Sequence, residues 1–261
     1  MPLPLTPTFR DALAGSPRTL AGMWVCSGSP LVAEICAGSG LDWLLVDMEH
    51  SPNGLESVLA QLQAVAAYPV TPVVRVPTAD AVTIKQVLDL GAQNLLVPMV
   101  SSADEARAAV EAVRYPPRGR RGVGSALSRS ARWNRLDGYL ENADEHVSLV
   151  VQVETVEAVA AAGAIAAVDG VDGVFVGPSD LAASMGLLGQ QTHPDVVAAV
   201  HRTFEAVRAA GTPVGVNAFD PDLARSYVDA GASFVLVGAD VTLLARGSEE
   251  LADRFVPPPT A

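Results

Sequence analysis

The chain has 261 residues, 49% of them hydrophobic and 18% charged, with a mean hydropathy of +0.30; this excludes disorder and predicts one compact domain around a large core. A formal net charge of −12 repels duplex nucleic acid and anionic membrane at long range, so neither is an expected partner. Cys26 and Cys36 are too few for a disulfide framework, and no apolar leader or uncharged span of about 18 residues is present, so a soluble, cytoplasmic protein is expected.

In chain order, the first predicted strand is AGMWVCS (21–27), followed by WLLVD (43–47) and a helix over LESVLAQLQAVAA (55–67). Strand PVVRV (72–76), helix AVTIKQVLDLG (81–91), strand NLLVPMV (94–100) and helix ADEARAAVEAVR (103–114) come next. The segment 115–147 is irregular and holds most of the basic cluster RYPPRGRRG and Trp133; it is expected to be a lid or a subunit-contact loop, with one of its arginines available to an anionic substrate. Strand SLVVQVE (148–154), helix VEAVAAAGAIAAV (156–168), strand GVFVG (173–177) and a short helix in SDLAAS then alternate. Helix VVAAVHRTFEAVRAAG (196–211), strand PVGVN (213–217), helix PDLARSYVDAG (221–231) and strand FVLVG (234–238) complete the pattern.

Strands that are continuously apolar rather than alternating are buried on both faces, as in a parallel sheet covered by helices. Eight such strands alternating with helices predict a single-domain (β/α)₈ TIM barrel spanning residues 1–261. An open doubly wound sheet competes, but no GxGxxG opens a helix after the first strand.

In a parallel barrel the strand carboxyl ends open onto one face, where Trp24, Asp47, Glu49, His50, Arg75, Gln152, Glu154, Ser179, Asp180 and Asn217 are then expected to converge. Glu154 and Asp180, on neighbouring strands and without a thiolate or histidine nearby, suit a hard divalent cation, Mg²⁺, Mn²⁺ or Co²⁺; capping of the following helices competes with this. Arg75 in an apolar strand either pairs structurally with Asp47 or Glu49 or faces an anionic substrate oxygen. His50 is a candidate acid/base group, with Asp89 as its partner, against a merely solvated histidine. GPSDL (177–181) offers backbone amides to an anion, or is an ordinary turn with a cap. Lys85, the only lysine, lies mid-helix, so a Schiff-base mechanism has no placed amine.

GLDWLLVDMEHSPN (40–53), VVRVP (73–77), IKQVLDLGAQNLLVPMV (84–100), YPPRGRRGVG (115–124), VVQVET (150–155) and GVFVGPSDLAASMG (173–186), in this order, closely resemble the HpcH/HpaI aldolase family over essentially the whole chain. The resemblance implies a metal-dependent aldolase that cleaves 4-hydroxy-2-oxo acids to pyruvate and an aldehyde, with Glu154 and Asp180 as metal ligands. It places Gln152 beside them, pyruvate's carboxylate on the amides around Gly177, Pro178 and Ser179, and Trp24 at the substrate. It implies Arg75 on the enolate oxygen, His50 paired with Asp89, and Asp47 and Glu49 in support. Family members are commonly homohexamers in which a neighbouring subunit completes the site. Met48, in the middle of the DxEH motif, is expected to shape the aldehyde end of the pocket. An oxo-acid decarboxylase using the same chemistry and a non-catalytic oxo-acid-binding barrel are the alternatives.

Overall fold

All eight apolar runs form strands. A computed structural model describes residues 5–257, in which β1 (Leu20–Val25), β2 (Trp43–Asp47), β3 (Thr71–Arg75), β4 (Asn94–Val97), β5 (Ser148–Val153), β6 (Gly173–Val176), β7 (Val214–Asn217) and β8 (Phe234–Ala239) pair in parallel, each with the next. β8 returns to β1, so the sheet is a closed barrel and not the open sheet that competed with it. The helices are α1 (Phe9–Gly15), α2 (Pro30–Ala37), α3 (Leu55–Ala64), α4 (Ala81–Asp89), α5 (Ala103–Val113), α6 (Val156–Ala166), α7 (Pro178–Ser184), α8 (Pro194–Ala209), α9 (Pro221–Asp229) and α10 (Asp240–Phe255). Ser29, Asp80, Ser102, Thr155 and Asp220 each accept a first-turn backbone N–H, which sets where five of them begin. Among the described residues no helix is long and apolar enough to cross a membrane.

Period-two alternation sorts the strand side chains into two cores. Leu44, Val46, Val74 and Val151 face the helices, whereas Trp43, Leu45, Val73, Val150, Phe175 and Phe234 fill the barrel. Two strand glycines make that filling possible: a Cβ on Gly22 would stand 2.5 Å from the Trp43 indole, and one on Gly215 would stand 2.3 Å from the Phe234 ring. α1 then closes the amino-terminal rim, inserting a fully buried Phe9 against Trp43 (5.1 Å between ring centroids) and Phe234 (5.3 Å). Asn94 Oδ1 accepts the Phe9 N–H at 2.6 Å and fixes the plug.

α5 carries the chain back to this same amino-terminal rim, so the segment joining it to β5 lies there as well. The expectation of a lid over the chain's own site is therefore corrected, because the strand carboxyl ends are at the opposite rim. The arginines of RYPPRGRRG pair locally instead: Arg118 lies 2.9 Å from Asp144, and Arg121, fully buried beneath the Tyr115 ring, lies 3.5 Å from Asp89.

Tyr227 on α9 is fully buried against Phe204 and His201, and its hydroxyl has no hydrogen-bond partner. Burial pushes its pKa up to about 12, above the unfolded value of 10.0. The stability linked to the neutral phenol is thus complete below pH 10.0 and lost as pH rises toward about 12. Tyr227→Phe is expected to hold or raise Tm at neutral pH, since an unsatisfied buried polar group costs about 1–3 kcal/mol. It should also flatten the alkaline decline, which thermal melts of both proteins across the alkaline range would read.

Candidate active site

The alternation that packs the barrel interior lower down delivers polar side chains inward at the carboxyl-terminal rim. Arg75, at the end of β3, is 5% exposed and bonded on several sides. Its Nε donates to Asp47 Oδ1 at 2.7 Å, its Nη1 lies 2.8 Å from Glu49 Oε2, and its guanidinium sits 4.2 Å from the centroid of the Trp24 ring. Trp24 is itself held by its indole N–H, which donates to Asn217 Oδ1 at 2.8 Å. The structural reading of Arg75 is thus met by both acids at once, while Nη2 keeps no protein acceptor among the described residues.

Asp47 organises the turn that follows β2. Its carboxylate accepts the N–H groups of Glu49 (3.0 Å) and His50 (3.2 Å), and its carbonyl accepts from Ser51 Oγ and Asn53 Nδ2. Met48, one residue on, points the other way and packs against the layer between strands and helices. That corrects the expectation that it shapes the pocket.

Glu154, just past β5, is 2% exposed. Oε1 accepts the Met99 backbone N–H at 2.7 Å, and Oε2 accepts from Gln152 Nε2, which period two places on the same face. It does not cap α6, because Thr155 Oγ1 takes the Ala158 N–H at 3.1 Å. Asp180 lies in the first turn of α7 and is exposed. Burial pushes the Glu154 carboxyl up to about 7, and the charges of Asp180 and Glu49 add to the push; burial likewise raises Glu49, partly offset by Arg75. Of the GPSDL amides, the Gly177 N–H donates to the Val153 carbonyl (3.1 Å), the Leu181 N–H donates to the Gly177 carbonyl (3.1 Å) and Pro178 has none, which leaves those of Ser179 and Asp180 in the first turn of α7.

His50 is 66% exposed, with Nε2 3.9 Å from Glu49 Oε2. Asp89 is not beside it. The nine residues of α4 run about 13 Å from the carboxyl-terminal rim toward the other, so Asp89, the last of them, ends against Arg121 at the far rim. Within one chain His50 and Asp89 are kept apart.

Comparison with known proteins decides the family. The family profile described as HpcH/HpaI aldolase/citrate lyase matches residues 20–247. The chain belongs to this family. The 4-hydroxy-2-oxo-heptane-1,7-dioate aldolase of Salmonella typhi is 53% identical over 248 residues, covering 95% of this chain and 94% of that one. A HpcH/HpaI aldolase/citrate lyase family protein from Burkholderia cenocepacia J2315 superposes with a TM-score of 0.91 at 41% identity, covering 95% of this chain and 99% of the other. A HpcH/HpaI aldolase from Desulfitobacterium hafniense DCB-2 gives 0.88 at 27% identity, covering 97% and 98%. The chain is accordingly an aldolase, a carbon–carbon lyase.

Whether this HpcH/HpaI aldolase suits a divalent cation is tested by its donors. Glu154 and Asp180 supply carboxylate oxygens, Gln152 Oε1 is buried with no partner, and the space over them is kept open by Gly177, where a Cβ would stand 2.8 Å from Glu154 Oε2. Among the described residues no three His, Cys, Asp or Glu form a closed cage. Two acids facing open space suit a hard cation that takes its other ligands from substrate and water. Two further groups complete the rim. Asp240, 2% exposed, accepts the N–H groups of Cys26 (2.8 Å) and Ser27 (3.0 Å) across the seam between β1 and β8; an acid two residues after the last apolar run is the sequence signal for it. Burial first, then the charges of Asp47 and Asp240, push the Cys26 thiol up to about 12, so it stays protonated and non-nucleophilic at neutral pH.

Proposed function

We propose that this aldolase cleaves 4-hydroxy-2-oxo acids to pyruvate and an aldehyde, and runs the reverse addition, with a divalent cation (Mg²⁺, Mn²⁺ or Co²⁺) held by Glu154 and Asp180. The observation that carries the reading is the unbalanced charge at Glu154: a nearly inaccessible carboxyl beside Asp180 and Glu49, while Arg75 is already hydrogen-bonded to Asp47 and ion-paired with Glu49. The name of the Salmonella relatives makes the seven-carbon 4-hydroxy-2-oxo diacid the first substrate to try. Its cleavage releases an aldehyde that carries a second carboxylate.

A divalent cation bound there supplies Lewis acidity toward the 2-oxo group. The chain does the rest. Ser179 N–H donates to the carboxylate of the pyruvyl half. His50, solvent-facing and next to Glu49, takes the proton of the C4 hydroxyl, directly or through a water. The C3–C4 bond breaks as the C4–O bond becomes the aldehyde carbonyl, and the electron pair moves through C3 and C2 to the 2-oxo oxygen. Arg75 Nη2, the free arm of a guanidinium locked by two acids and an indole, donates to that oxygen. Protonation at C3 then gives pyruvate.

We also infer a homo-oligomer, a hexamer by family resemblance. α10 buries only Asp240 and leaves Leu244 (59% exposed), Leu251 (57%) and Phe255 (74%) uncovered, and His50 can meet Asp89 only from a second copy. Light scattering on the purified protein would read the assembly directly.

The deciding experiment is pyruvate release from 4-hydroxy-2-oxo acids of graded length by EDTA-stripped protein, with and without added Mg²⁺ or Mn²⁺. Metal-restored release with aldehyde appearing in equal amount is expected. Carbon dioxide in place of aldehyde would indicate the decarboxylase instead, and binding without turnover would indicate a silent barrel.

A further inference from the structure

β4 does not end like its neighbours. Val97 pairs with Val151 in the ladder to β5, and the next bond to that strand comes from Val100, whose N–H donates to the Gln152 carbonyl at 3.1 Å. Pro98 and Met99 between them form a bulge, the irregularity that re-aims backbone groups at barrel rims. Met99 has φ +57°, a left-handed conformation that costs any residue with a side chain. Its side chain is 55% exposed, so packing of the thioether does not explain the conformation. What the conformation achieves is to turn the Met99 N–H inward, 2.7 Å from Glu154 Oε1. Gln152 Nε2 holds the other oxygen, and Gly177 backs onto it.

We propose that Met99 is a positioning residue: its strained backbone aims one N–H at Glu154 Oε1 and fixes the rotation of the carboxylate that holds the cation. The inference rests on the reading of Glu154 as a ligand and adds to it the group that orients the ligand. It makes the side chain at position 99 irrelevant except through the backbone conformation it permits.

The test is Mn²⁺ binding to the EDTA-stripped, full-length protein, read by the electron paramagnetic resonance signal of free Mn²⁺. Glycine and asparagine tolerate the left-handed region, so Met99→Gly and Met99→Asn should keep the Mn²⁺ dissociation constant within about threefold. A β-branched residue resists it, so Met99→Val should weaken Mn²⁺ binding about tenfold, the scale of one hydrogen bond to a charged group, and its lost turnover should return at raised Mn²⁺. A folded Met99→Val protein with wild-type Mn²⁺ affinity overturns the proposal. If Met99→Val does not fold, hydrogen exchange at the Met99 amide replaces it: exchange should be at least about tenfold faster in Glu154→Ala than in the wild type, and equal rates overturn the proposal. Wild-type Mn²⁺ affinity in Glu154→Ala overturns the ligand assignment itself, whereas weakened binding there with unchanged binding in Met99→Val removes only the role of Met99.

Discussion

Glu154→Ala is expected to abolish cation-dependent pyruvate release while the barrel stays folded. The carboxylate has no substitute nearby, since Gln152 offers only a neutral amide and Glu49 is committed to Arg75. Removing it orphans the Met99 N–H and the Gln152 amide, at about 1–3 kcal/mol for each group left unsatisfied. It also removes a buried acid whose ionisation burial opposes, an offset that keeps the net loss below the roughly 5–15 kcal/mol by which domains are usually stable. Asp180→Ala should lose activity as completely with a smaller change in Tm, because Asp180 is exposed. Circular dichroism melts beside the pyruvate assay separate the two effects. A folded Glu154→Ala enzyme with full metal-dependent turnover would show that the ligand assignment is wrong.

Arg75→Ala should lower kcat by roughly 10²–10³, the scale for losing one pre-organised stabiliser of developing charge. Here stability moves too. Asp47 is 1% exposed, and the substitution leaves it and Glu49 facing each other without the guanidinium, which costs about 3–5 kcal/mol for a broken buried pair. Arg75→Lys is the discriminating control, because an ammonium restores charge but cannot bond Asp47, reach Glu49 and present a third arm together. It should recover more Tm than kcat when both are measured well below the melting temperature. Equal recovery of the two would reduce Arg75 to a structural ion pair.

The barrel was legible in the sequence because its strands are apolar on both faces, so WLLVD maps onto β2 without adjustment. NLLVPMV overruns β4 because Pro98 and Met99 are as apolar as the strand before them, and hydropathy carries no record of a change in φ. The candidate site residues were visible as polar residues at strand ends. Their pairings were not, since Arg75 meeting Asp47, Glu49 and Trp24 depends on which strands become neighbours. α1 leaves little trace in the sequence because a seven-residue helix shows little periodicity, and Asp89 cannot reach His50 within one chain because a helix delivers its last residue to the far side of the fold.

Phe9, seated under Trp43 and Phe234, has a kinetic consequence. With the amino-terminal end of the barrel stoppered by aromatic rings, the described residues leave the site to open at the carboxyl-terminal rim, and whatever sits deepest there leaves last. The pyruvyl half lies against Glu154 and Ser179 in the proposed geometry, inside the aldehyde half, so products should depart in order, aldehyde first. Pyruvate should then inhibit competitively against the 4-hydroxy-2-oxo acid and the aldehyde non-competitively, a pattern that initial-rate product inhibition can read without any mutation.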